Sequence, residues 1–154
     1  PAVLPDWYAE GFAESFGGQG TFRWDGKALA IGAPMVERRI AALKAAPPTV
    51  RQLLAFDAHA AFHESKDEAL RYYTAAWAFL RLLQAKDSKW RDAFEDWERE
   101  CRSAVLGAPG IGPTGLPMAP SHGSAAAAAQ KFEAAFGKHM DELERAFRSY
   151  VESL

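Results

Sequence analysis

The residues best suited to chemistry in this chain lie within its first sixteen positions. In Trp7-Tyr8-Ala9-Glu10-Gly11-Phe12-Ala13-Glu14, two carboxylates stand four residues apart. At about 100° per residue this puts Glu10 and Glu14 on one side of a helix, with Tyr8, Phe12 and Phe16 sharing a roughly opposite face. Paired carboxylates can hold a cation, move a proton or face water. Their mutual repulsion is only about 0.2–0.5 kcal/mol, so an exposed acidic face tolerates them and spacing alone does not choose. His59 and His63 are also four apart, a spacing that lets two imidazoles grip one metal from a helix. Ala60, however, stands where a metallopeptidase needs its base glutamate, and the pair is expected to be two partly exposed histidines. Ser121-His122 falls in a Gly/Pro-rich stretch and is expected in an exposed loop rather than in a dyad. His139, close to Asp141 and Glu142, decorates the start of a helix. Cys101 is the only cysteine, so neither an intrachain disulfide nor a thiolate zinc cluster is available. Its apolar helical neighbours mark it as a buried small hydrophobe.

The elements that must position these residues are mostly helical. Pro5 and Asp6 open the first helix, and Gly17-Gly18 should end it. Thr21 to Trp24, Asp25-Gly26 and Lys27 to Ile31 form the pattern of a small two-strand hairpin with a two-residue turn. A helix over about Met35 to Ala45 stops before Pro47-Pro48. Thr49 with Gln52 forms a capping box for a short helix containing Leu53 and Leu54, and Ser65 with Glu68 forms a second one. The latter opens the longest apolar helix, roughly Asp67 to Ala85, with Leu70, Tyr73, Trp77, Leu80 and Leu83 at three- and four-residue steps. Next comes a helix over about Ser88 to Leu106, with Trp90, Phe94, Trp97 and Cys101 on one stripe. Residues 107–123 interleave glycines with prolines and are expected as an inserted, packed surface loop. Helices near Ser124 to Phe136 and His139 to Ser153 close the chain, separated by Gly137. They bury a face of Phe132, Phe136, Leu143, Phe147 and Tyr150.

The whole is expected to be a single, mainly α, bundle-like domain over residues 1–154, long enough for a real core. Hydrophobic residues make up 49% and charged residues 25%, ordinary globular usage, and the formal charge is −2 with both signs interspersed. That leaves no electrostatic footprint for nucleic acid or an acidic membrane. No apolar run reaches the roughly 20 residues a transmembrane helix needs. Proline at position 1, with a helix almost immediately after it, makes the chain read as a fragment of a longer protein.

Trp7 to Glu14 resembles the W-x-x-E-G-x-A-E segment of gluzincin zinc metallopeptidases, above all their aminopeptidase N and peptidase-MA-like branches. Tyr73-Thr74-Ala75-Ala76-Trp77-Ala78-Phe79-Leu80 is similar to the Y-x-x-(small)-aromatic-A-x-L helix of the same clan. Leu53-Leu54, Asp57, Phe62, Phe136-Gly137, Leu143 and Tyr150-Val151 also fall in step, so the likeness spans most of the chain. Only the Trp7–Phe16 segment is specific. The resemblance implies the helical C-terminal half of a thermolysin-like domain. It implies Glu10 as the third zinc ligand, beside two histidines of an H-E-x-x-H helix. Glu14 would then be the outer carboxylate that orients a zinc-bound histidine. Tyr73 would donate a hydrogen bond to the oxyanion of the tetrahedral intermediate, with Tyr72 its alternative. It also implies a peptide or protein substrate, and an exported bacterial protein as the setting.

The departure is that no H-E-x-x-H occurs here: His63-Glu64 begins one, and Asp67 stands where the second histidine should be. In this clan the histidine helix precedes the glutamate helix, so the missing motif is expected upstream, in a segment that would be this chain's partner. Without it one carboxylate neither holds zinc nor activates water, and the isolated chain should be inactive and metal-free. The rival expectation is a non-catalytic helical module that keeps the peptidase architecture for binding or scaffolding.

Overall fold

A computed structural model describes residues 4–17, 22–24, 26–27, 29–31, 37–106 and 125–154. The chain is mainly α, as its periodicities predict. Helix α1 (Asp6–Gly17) begins where Pro5, which has no N–H to leave unpaired, turns its carbonyl to the amides of Tyr8 and Ala9 at 2.9 and 3.1 Å. Strands β1 (Phe22–Trp24) and β2 (Leu29–Ile31) follow, paired antiparallel with Trp24 opposite Leu29. Asp25 of the expected Asp25-Gly26 turn lies outside the described residues.

Helix α2 (Glu37–Ala45) ends ahead of Pro47, and α3 (Val50–Leu54) starts on a complete capping box, with Thr49 and Gln52 bonded reciprocally. Helix α4 (Ala58–Glu64) has no counterpart in the sequence reading. At seven residues it is too short to show a period, but Asp57 marks its start by accepting from the Ala60 amide at 2.8 Å. Helix α5 (Lys66–Gln84) is the longest in the chain. Its predicted capping box is only half formed: Ser65 accepts from the Glu68 amide, but the Glu68 carboxylate pairs with Arg71 instead. The reason is that Ser65 also closes α4, so its own N–H is already donated to the Ala61 carbonyl and has nothing to give Glu68.

Helix α6 (Arg91–Leu106) carries the buried stripe Phe94, Trp97 and Cys101, with Trp90 just before it. Helices α7 (Ala125–Phe136) and α8 (Met140–Ser153) are joined by a 3₁₀ turn over Gly137–His139, where Gly137 takes a φ of +45° that a side chain would strain. Phe132, Phe136, Leu143 and Phe147 are buried as expected, whereas Tyr150 is only half-buried. Residues 107–123, expected as an inserted loop and containing Ser121 and His122, lie outside the described residues. No helix among the described residues is long and apolar enough to cross a membrane.

The centre of the core is aromatic. Trp7, fully buried, packs against Phe79 of α5, Trp97 of α6 and Phe132 of α7 at ring separations of 5.2, 5.6 and 5.5 Å. One side chain from α1 therefore touches three other helices. That anchor fixes where the rest of α1, with its two glutamates, must lie.

Candidate functional site between the first and fifth helices

Helices α1 and α5 approach with backbone almost in contact. A Cβ built on Gly11 would stand 2.6 Å from the carbonyl oxygen of Ala76 and 2.9 Å from its carbonyl carbon. Only glycine fits there, because the opposing atoms are backbone and cannot rotate away. With Trp7 and Gly11 turned to the interior, Glu10 and Glu14 fall at the edge of the α1–α5 contact, each half-buried.

Three carboxylates, Asp6, Glu10 and Glu14, stand one turn apart along this edge and are treated differently. Asp6 accepts from the Ala58 amide at 2.9 Å, helping to cap α4. Glu14 forms an ion pair with Arg39 of α2 at 2.8 Å, both side chains being largely enclosed. Arg39 in turn donates through Nε to the Thr74 hydroxyl at 3.0 Å, and Thr74 passes its own proton to the Leu70 carbonyl at 2.7 Å. Glu10 alone has neither an ion pair nor a hydrogen bond among the described residues. Its pKa is raised, chiefly because burial disfavours the charged form and further because Asp6 and Glu14 repel it.

Tyr73 of α5 belongs to the same edge. Partial burial raises its hydroxyl pKa first, and the negative charges of Glu10, Asp6 and Glu14 raise it further. Its hydroxyl is thereby kept protonated, as a hydrogen-bond donor. Both tyrosines meet Phe56: the Tyr72 ring lies flat on it, 4.6 Å between centroids and 2° between planes, with the Arg71 guanidinium 5.6 Å from its ring centre, and the Tyr73 ring meets it edge-on at 5.8 Å.

The other candidates are separate from this edge in chemistry. His59 and His63 are exposed on α4, their rings 4.7 Å apart, and among the described residues no carboxylate or thiol completes a set of three around them. His139 faces Glu142 at 3.5 Å and meets Trp90 edge-on. Cys101 is buried, and burial pushes its thiol pKa up, against a smaller opposing pull from Lys131.

Two parts of the site were not read from sequence. Asp6 lies four residues before Glu10, so the spacing rule that drew attention to Glu10 and Glu14 reaches it too. Arg39, the partner of Glu14, is remote in sequence and carried no signal. Among the described residues no three His, Cys, Asp or Glu side chains converge as a metal-binding group. No family model, curated protein or solved structure matches the chain.

Proposed function

We propose that this chain is the C-terminal part of a zinc-dependent peptidase domain, with Glu10 as a zinc ligand and Tyr73 as donor to the developing oxyanion. The observation supporting this is Glu10 itself: a half-buried carboxylate beside two others, with no ion pair among the described residues and near enough to Tyr73 for its charge to raise the pKa of that phenol. Leaving such a group uncompensated costs stability, and an added cation would remove that cost. Carboxylate oxygen is an ordinary zinc donor, so Glu10 fits the role of one ligand. The remaining ligands, two histidines, and the base glutamate would come from an upstream segment of the same protein.

Zinc in such a site polarises the scissile carbonyl and lowers the pKa of bound water. The work of this chain's residues is positional. Gly11 sets the separation of α1 and α5, Trp7 locks α1 in place, and Tyr73 keeps its proton available for an oxygen gaining charge. Glu14, with Arg39 behind it, can accept from an imidazole N–H and hold that ring's orientation.

The test is zinc content and peptide hydrolysis of the protein carrying its upstream segment. Bound zinc at one per chain, lost in Glu10→Gln, is the expected result. Tyr73→Phe should keep the zinc and lose about 10²–10³ in kcat, the usual effect of deleting one oxyanion donor. Equal zinc retention in Glu10→Gln removes Glu10 from the site, and an upstream sequence without H-E-x-x-H sinks the peptidase reading.

One observation favours the second reading, a helical binding or scaffolding module. The Glu14 carboxylate is already engaged by Arg39, as a structural tie between α1 and α2 would be. On that reading the extended protein holds no zinc and hydrolyses nothing.

A further inference from the structure

An open groove of about 400 Å³ lies between α2 and α5, with Arg39 and Thr74 in its lining. Its α5 wall is a single helical stripe, Asp67, Leu70, Arg71 and Thr74, at steps of three and four residues; its α2 wall includes Arg38 and Arg39. Three guanidinium groups and one carboxylate therefore line it. We propose that this groove binds a carboxylate of a peptide, either its C-terminal group or an acidic side chain.

The three arginines are prepared to different degrees. Arg39 is held rigid by Glu14 and Thr74, and its Nη2 is buried with no acceptor among the described residues. Arg71 is steered by the Ala46 carbonyl at 3.1 Å and held only loosely by Glu68 at 3.3 Å. Arg38 is exposed and has no ion pair among the described residues. A planar fork of donors suits a planar carboxylate, and two such forks from adjacent helices can share one. Asp67 decides the charge of the guest. With Glu14 paired to Arg39 and Glu68 to Arg71, Asp67 brings the formal charges around the groove into balance, so a dianion such as phosphate gains no net attraction over a monoanion.

That the carboxylate belongs to a peptide rests on the proposed peptidase reading, since Arg39 and Thr74 in the groove's lining are joined by hydrogen bonds to each other and to Glu14. The test uses this chain alone, by calorimetric titration with N-acetyl-Ala-Ala, N-acetyl-Ala-Ala-amide, N-acetyl-Asp-Ala-amide and inorganic phosphate. Either or both free-carboxylate peptides should bind, and which of them binds identifies the source. The neutral amide should not, and phosphate should bind more weakly than the carboxylates. Arg38→Ala, at an exposed and unpaired position, should weaken binding about tenfold, the effect of losing one charge-assisted hydrogen bond. Arg71→Gln should do the same, with unchanged circular dichroism as the check that the fold survives. Equal binding of the neutral amide, tighter binding of phosphate, no binding of either carboxylate, or unaltered affinity in both variants overturns the proposal. No zinc enters these titrations. A metal-free extended protein would remove the peptidase reading and leave carboxylate binding standing, and the reverse outcome is equally readable.

Discussion

Ionising Glu10 places a charge in a half-buried position, and beside Asp6 and Glu14, with no ion pair among the described residues, so the folded chain holds that proton more tightly than the unfolded chain does. Between the ordinary carboxylate pKa and the raised one, the folded state binds more protons, and stability falls as pH rises through that window. Above the window the penalty is constant, and below it the penalty is absent. Glu10→Gln should therefore stabilise the metal-free chain at neutral pH by about 0.5 kcal/mol, the scale of two like-charge pairs one helical turn apart. Urea unfolding should show that gain vanish once the solution is acid enough to protonate carboxylates in the unfolded chain. A gain that persists in acid would mean that charge is not its source. Cys101, buried and with its thiol pKa pushed up, should resist thiol reagents until the protein unfolds, and labelling rate against denaturant reads this directly. At this scale helical spacing drew attention to Glu10 and Glu14, while Tyr73 became a candidate only through the family likeness. The sequence could not show that Arg39 pairs with Glu14, since that pairing depends on where α2 packs against α5.

Among the helices, the α1–α5 contact is the one with least freedom. Gly11→Ala adds a methyl that meets Ala76 backbone at 2.6 Å. Alanine's better helix propensity favours the change by about 1 kcal/mol, but overpacking against atoms that cannot move costs about 1–3 kcal/mol. The net effect should be lower stability in thermal unfolding. A Gly11→Ala chain as stable as the parent would show that the helices separate cheaply. Caps were legible to the extent that they stood alone. The Thr49 box is complete, and Thr49→Ala should cost about 1 kcal/mol, measured as a shift in the urea midpoint. The Ser65 box is half formed because α4 ends where α5 begins, and α4 itself was too short for its apolar spacing to register.

For the molecule as a whole, the aromatic core ties α1, α5, α6 and α7 into one body through Trp7 and Phe132. Trp7→Ala should cost about 3–5 kcal/mol, a large share of the roughly 5–15 kcal/mol that holds a domain together. Far-ultraviolet and near-ultraviolet signals should be lost together on heating; separate transitions would mean that α1 docks independently of the rest. The mainly α architecture and nearly all the long helices were legible because their buried positions recur every three or four residues. Trp7 was visible as part of a motif, but its place at the meeting point of four helices was not, because spacing identifies a buried face without identifying its neighbours.

The same packing supplies an optical gauge. Trp7 and Trp97 stack with 5.6 Å between ring centroids and 19° between planes, close enough for their excited states to couple. The exciton signal of that pair in circular dichroism should track the seating of α1 without label or ligand. Since α1 carries Glu10, a variant that lost zinc or binding could be assigned from its spectrum alone either to a misplaced helix or to a missing side chain.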